Sequence, residues 1–154
     1  MVSIFGIAVS DECIDRYSEF KDEHKYKFVI YRIGEDLKSI IVESTSEDAI
    51  TDESGNPKEE PSDVYEKFIS RFPENDGRYA VYDFDYTHDG GKRNKVLFFS
   101  WAPDTAPIKS KMLYASSKND IEKRLNAISL VIQATEKSNL FYEEVLEKVN
   151  SRFR

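Results

Sequence analysis

Cysteine is almost missing from this sequence. Cys13 is the only one among 154 residues, so no disulfide can form within the chain, and a reducing compartment is expected. Histidine is scarce as well, and neither His24 nor His88 has a partner at a spacing that suits zinc. No apolar run approaches the roughly 20 residues that cross a bilayer. Met1 is not followed by the basic and apolar regions of a secretory signal, so none is expected. The 6 glycines form no phosphate-cradling loop, and there is no Gly-x-Ser-x-Gly elbow. Asp83, Asp85, Thr87 and Asp89 resemble the start of a calcium loop, but His88 and Asn94 stand where its glycine and final glutamate belong. The expectation is a soluble, cytoplasmic protein with no metal, no cofactor and no catalytic residues: not an enzyme.

What is present is the material of a core. Apolar residues make up 40% of the chain and aromatic ones 13%, which fits one folded domain over residues 1–154. The net charge of −7 is unevenly spread. Residues 1–90 carry 10 Lys/Arg against 22 Asp/Glu, and residues 91–154 carry 12 against 7. Overall acidity speaks against nucleic acid as a partner. The basic C-terminal part could steer an acidic protein or an anionic membrane surface.

Along the chain, an irregular arm leads into Ile7-Ala8-Val9. Ser10 or Asp11 then caps a helix to about Glu23, its inward face built from Cys13 or Ile14, Tyr17, and Phe20 or Lys21. Strands are expected over Lys25–Ile33 and Ser39–Ser44, joined at Gly34-Glu35-Asp36. Thr45–Pro61 is polar and acidic, without a packing pattern, and reads as a flexible insertion. A helix from Ser62 to about Phe72 ends at Pro73. Arg78–Tyr86 and Lys95–Trp101 read as paired strands around the turn His88-Asp89-Gly90-Gly91. A helix follows, with Asp104 or Thr105 as its cap and Pro107 in its first turn. A strand over Ile128–Ala134 and a helix over Asn139–Asn150 complete the chain. The order predicts an α/β fold, a central mixed β-sheet with helices on both faces.

The helix after Trp101 carries the most informative pattern. At about 100° per residue, Tyr114, Ser117, Ile121 and Leu125 share one stripe, expected to face the core. Lys109, Met112, Ser116, Asn119 and Lys123 share another, without an acid and with an apolar Met in its middle. A protein-binding face would use such a Met as an adaptable anchor. The alternative packs Met112 inward with Ile108 and Ala115.

Trp101-Ala-Pro-Asp-Thr-Ala-Pro-Ile-Lys-Ser-Lys-Met-Leu-Tyr-Ala-Ser-Ser-Lys resembles the signature of the ADF/cofilin family of actin-binding proteins. The resemblance extends to Gly6-Ile-Ala-Val-Ser-Asp-Glu, Arg78-Tyr-Ala-Val-Tyr-Asp-Phe-Asp-Tyr, Gly91-Lys-Arg-Asn-Lys-Val-Leu-Phe-Phe and Tyr142-Glu-Glu-Val-Leu-Glu-Lys-Val. It covers essentially the whole chain, in order, with one extra loop, and implies the ADF-homology fold.

The same resemblance implies a monomeric protein that binds actin monomers and filaments, prefers ADP-actin, and promotes severing and depolymerisation. A surface for monomers and filaments would comprise Ser3, Ile4, Phe5 and Gly6 of the arm with Lys109, Lys111, Met112, Ser116 and Asn119. A filament-only surface would comprise Lys92, Arg93, Lys95, Glu147, Lys148 and Arg152. Ser3 is the candidate phosphorylation site, although Ile4 and Phe5 separate it from Gly6, where the family often has the Ser immediately before the Gly. The family's last basic position falls on Ser151, with Arg152 one step later. The basic nuclear-import run of some animal members is absent between Glu23 and Phe28, which leaves nuclear presence open. Two alternatives stand beside this: a coactosin-like binder that decorates filaments without disassembling them, and a phosphoinositide-binding peripheral protein using Lys92, Arg93, Lys109 and Lys111.

Overall fold

The structure, a computed structural model, describes residues 7–46 and 61–153. The elements run β1 (Ala8–Val9), α1 (Asp11–Lys21), β2 (Phe28–Ile33), β3 (Ser39–Thr45), α2 (Pro61–Ile69), β4 (Arg78–His88), β5 (Gly91–Trp101), α3 (Ile108–Arg124), β6 (Leu130–Ala134), a 3-10 turn (Lys137–Leu140) and α4 (Tyr142–Arg152). Six strands form one mixed sheet in the order β1-β3-β2-β4-β5-β6. The outer pairs β1/β3 and β5/β6 are parallel, and the inner ones antiparallel.

Strand side chains alternate between two cores. Phe28, Ile30, Ala80, Tyr82, Phe84, Leu97, Phe99 and Trp101 meet α2 and α4 on one side. Val29, Tyr31, Ile33, Tyr79, Val81 and Phe98 meet α1 and α3 on the other. With both faces covered, the central strands read as almost unbroken apolar runs. Phe68 of α2 is fully buried, its ring 4.7–5.7 Å, centre to centre, from those of Phe28, Tyr65, Phe72, Tyr82 and Phe99. Two of the buried aromatics place their polar ends on backbone carbonyls: Tyr65 donates to Leu140 at 2.6 Å, and Trp101 Nε1 to Pro73 at 2.7 Å.

Several boundaries differ from the sequence reading. The arm's end pairs with β3 as a two-residue strand, Ala8 opposite Ser39 and Val9 opposite Ile40. β2 starts at Phe28 rather than Lys25, after His24 with a positive φ of 55°. The last helix is two pieces, a 3-10 turn and then α4, divided at Phe141. Ser10 occupies the N-cap position of α1, yet its hydroxyl donates to Cys13 Sγ at 3.3 Å and caps nothing. Asp104 and Thr105 do not cap α3 either. Pro107 holds that position, and the Thr105 hydroxyl donates to the Glu74 carbonyl instead. Of the expected insertion, Thr45 closes β3 opposite Val29, and Pro61 opens α2. Residues 47–60 lie outside the described residues.

β4 and β5 continue beyond their other partners. β2 pairs with β4 only over Tyr79–Tyr82, and β6 with β5 only over Leu97–Trp101. Beyond these pairings the two strands continue as a hairpin ending at His88 and Gly91. Its base is still held by the Asp83 N–H on the Lys27 carbonyl and the Ser129 N–H on the Val96 carbonyl, with Phe84 and Tyr86 buried in the core. Asp89 and Gly90 make its turn with φ of 51° and 76°, the pair of positive values that a tight, strand-compatible turn requires.

Candidate binding faces

α3 divides as its two stripes predict. Tyr114, Ser117, Ile121 and Leu125 are buried against the α1 side of the sheet. Lys109, Met112, Ser116, Asn119 and Lys123 are exposed. Met112 is 66% exposed and Ile108 71%, so the inward packing of Met112 with Ile108 and Ala115 does not occur. Sequence reasoning left Ile108 out of the binding face. It stands one turn before Met112, and extending the stripe by four residues would have found it.

The remaining residues of this face have different surroundings. Lys111 is half-buried and leans its ammonium towards the Asp104 carbonyl at 3.4 Å. The Ser116 hydroxyl donates back to the Leu113 carbonyl at 3.2 Å, leaving its oxygen to accept from a partner. Ser3, Ile4, Phe5 and Gly6 lie outside the described residues. The arm nonetheless enters the fold next to α3, because β1 packs against that helix.

Tyr114 fixes the helix to the sheet. Its hydroxyl accepts from the Ile33 N–H at 2.9 Å, and its carbonyl accepts from the Tyr79 hydroxyl. Burial pushes the Tyr114 phenol upward, so it remains neutral and free to accept.

A second basic group sits on the hairpin. Lys92 and Arg93 are exposed near its tip, opposite Thr87 and Tyr86. Lys95, closer to the sheet, is half-buried, with its ammonium 4.7 Å from the centre of the Phe153 ring just after α4. That cation–aromatic contact joins the hairpin to the end of α4. Glu147, Lys148 and Arg152 lie exposed on α4, whose Val145 and Val149 face the core. Arg152 borders a groove lined also by Glu122, Leu125 and residues 127–131, and so faces the open edge of β6.

The acids of the discarded calcium loop have other work. Asp83 accepts from Asn94 Nδ2 across the hairpin at 2.8 Å, and Asp85 pairs with Lys27 at 2.5 Å. Among the described residues there is no cluster of three His, Cys, Asp or Glu side chains that could hold a metal, and no helix long and apolar enough to cross a membrane.

A family model described as cofilin/tropomyosin-type actin-binding protein matches residues 6–150. The chain belongs to the ADF/cofilin family. It is 44% identical to a cofilin of Kluyveromyces lactis over 147 residues, covering 94% of this chain and 93% of that one. A cofilin of Eremothecium gossypii is 46% identical with the same coverage. Among solved structures, the fold matches the crystal structure of Streptomyces griseoflavus cofilin with a TM-score of 0.80 at 36% identity, over 96% of this chain and 99% of that one. Membership in the ADF/cofilin family makes this an actin-binding protein of the kind that severs and depolymerises filaments.

Proposed function

We propose that this chain binds monomers and filaments of actin, preferring ADP-loaded subunits, through the α3 face and the N-terminal arm. Only filaments would use the hairpin and α4. The observation that carries the first assignment is the pairing of Ile108 with Met112, two large apolar side chains left in solvent one turn apart. Neither contributes to the core, and Lys109 stands between them. An apolar pair edged by lysines suits a groove rimmed with acidic groups: the apolar side chains give affinity, the lysines register and encounter rate. Ser116 and Asn119 extend the same face.

The filament-only assignment rests on the contact of Lys95 with Phe153, which puts the hairpin's basic run beside the C-terminal end of α4. A ligand that touches two neighbouring subunits favours the filament geometry it fits better, and shifts the population by its differential affinity. Boundaries between decorated and bare stretches then become the places where a filament breaks. Ser3 remains the candidate off switch, since a phosphate there would add about −1.5 to −2 charge to a face that works through lysines.

Time-resolved imaging of ADP-actin filaments tests the proposal. Addition of the protein should raise the number of filament ends and shorten filaments. Decoration without new ends would favour the coactosin-like alternative. Lys109, Lys111, Lys92 and Arg93 also suit a phosphoinositide surface, on which lipid and actin would compete; liposomes containing phosphoinositide should then release bound actin. We read the protein as a cytoplasmic monomer on the actin cytoskeleton, with an insertion between β3 and α2 of which Asp48–Glu59 is dispensable for both faces.

A further inference from the structure

α3 begins under unfavourable conditions. Pro107 holds its N-cap position, no side chain caps it, and its first turn contains no acid. Lys109 and Lys111 are there instead, at the end where the aligned peptide dipoles already concentrate positive charge. Ile108 and Met112 point into solvent and give the turn no apolar anchorage. Left to itself, such a turn frays. Yet these are the side chains that the α3 face has to present.

Ser110 fastens the turn. Its hydroxyl donates to Asp76 Oδ1 at 2.8 Å, and the Gly77 N–H is shared between that carboxylate oxygen at 2.9 Å and Ser110 Oγ at 3.3 Å. Asp76 Oδ2 accepts from Arg78 Nη1 at 2.7 Å. Arg78 is itself 8% exposed and fixed from behind. Its Nε and Nη2 donate to the two oxygens of Glu43 at 3.0 Å each, and Nη1 donates also to the Gly77 carbonyl at 2.6 Å. Burial works against a charge on Asp76. The hydrogen bonds from Ser110 and Arg78, the Arg78 charge and the Gly77 N–H outweigh it, so the carboxyl is held below its ordinary range and stays ionised. The loop around it is tied to the segment before α3 a second time, where Thr105 donates to the Glu74 carbonyl.

We propose that Asp76 is a positioning residue for the α3 face: through Ser110 it supplies the anchor and the negative charge that the first turn lacks. It thereby holds Ile108, Lys109, Lys111 and Met112 in the geometry that binds. The assignment rests on the reading of α3 as the actin-binding helix. It predicts a coupling that a clip serving stability alone would not produce, between the order of this turn and affinity for actin.

The experiment compares the full chain with Ser110→Ala, Asp76→Ala, the double variant and Lys109→Ala. Monomer affinity, denaturant midpoint and amide exchange at residues 111–113 are measured on each. Ser110→Ala removes one half-buried hydroxyl and leaves Asp76 paired with Arg78, so the midpoint should stay close to that of the unaltered chain. Its amides should exchange faster, and monomer binding should weaken about 2- to 10-fold, the range of one hydrogen bond. Lys109→Ala should weaken binding without faster exchange. Adding Ser110→Ala to Asp76→Ala should cost clearly less than Ser110→Ala costs alone, since both remove the Ser110–Asp76 link and only the longer contact from the Gly77 N–H to Ser110 Oγ is left to lose. Unchanged exchange in Ser110→Ala overturns the proposal, because the turn is then held by something else. So does faster exchange with full affinity, and so do additive losses in the double variant. If Asp76→Ala does not fold, Ser110→Ala alone decides. If the unaltered chain does not bind actin, the reading of the face fails, and the exchange measurement still decides whether Asp76 holds the turn.

Discussion

A β-carbon on Gly77 would stand 2.3 Å from Cγ and Cδ2 of the Tyr114 ring. The ring has nowhere to go. Its hydroxyl is engaged by the Ile33 N–H, and its plane packs on Tyr79 with ring centres 5.1 Å apart. Gly77→Ala must therefore push α3 off the sheet or break that hydrogen bond. The expected cost is about 1–3 kcal/mol in denaturant unfolding, together with weaker monomer binding, because the helix that moves is the one carrying the binding face. A change within about 0.5 kcal/mol, the ordinary range of a harmless surface substitution, would show that the contact yields without consequence.

How much of this was legible beforehand depended on the range of the pattern. The two stripes of α3 repeat over several turns, so Tyr114, Ser117, Ile121 and Leu125 could be told from Lys109, Met112, Ser116 and Asn119 by spacing alone. On α1 spacing pointed to Tyr17 but left Cys13 or Ile14 and Phe20 or Lys21 open; Cys13, Tyr17 and Phe20 are the buried ones. β1 has only 2 residues, too few to show any period. The break in the last helix at Phe141 escaped because a 3-10 turn and an α-helical turn share one local pattern. Asp104 and Thr105 have good capping side chains, but the Thr105 hydroxyl goes to Glu74, 31 positions away. The link from Asp76 to Ser110 spans 34 positions, and no local rule reaches that far. The hairpin's basic run was visible; its contact with Phe153 was not.

Tyr17 should make the fold sensitive to alkali. The side chain is 3% exposed and its hydroxyl donates to the Asn126 carbonyl. Burial, helped by the Asp22 charge, pushes the phenol from the ordinary 10.0 to about 12. Below pH 10 it is neutral in both states and its contribution is complete. Above that the unfolded chain releases the proton first, so stability falls by about 1.4 kcal/mol per pH unit until the folded phenol also ionises near pH 12. Burial shifts Tyr65, Tyr79 and Tyr82 still higher, which adds in the same direction. Tyr17→Phe should make the decline between pH 10 and 12 shallower by about one proton. An identical slope would mean that the phenol titrates normally in the folded protein.

Lys92→Ala with Arg93→Ala should separate the two faces. Both side chains are exposed, Lys92 opposite Thr87 and Arg93 opposite the buried Tyr86, and neither truncation opens a cavity, so stability should change by less than about 0.5 kcal/mol. Filament co-sedimentation should weaken while monomer affinity is largely kept. Phe153→Ala should act in the same sense by freeing Lys95 from its ring contact, with a loss of about 0.5–1 kcal/mol from the cation–aromatic term. Equal losses of monomer and filament binding in either variant would refute a filament-only role for the hairpin.

The α3 face makes the sharpest demand, because its residues are exposed and should matter to a partner while hardly mattering to the fold. Met112→Ala and Ile108→Ala truncate side chains that are 66% and 71% exposed. A buried Met or Ile would cost about 2–5 kcal/mol of stability; here denaturant unfolding should stay within about 1 kcal/mol of the unaltered chain. Binding of monomers and of filaments should both weaken. Lys109→Ala should reduce both as well, and its size reports its place in the interface: about 2–5 kcal/mol for a charge desolvated against a partner carboxylate, much less at a wet rim. Lys111 already rests against the Asp104 carbonyl, so Lys111→Ala should cost less than Lys109→Ala unless that contact gives way on binding. Monomer affinity, filament pelleting and unfolding, measured on the same preparations, decide between these cases. A folded Lys109/Lys111 double alanine variant that still binds monomers and filaments at full strength would remove the α3 face from the mechanism.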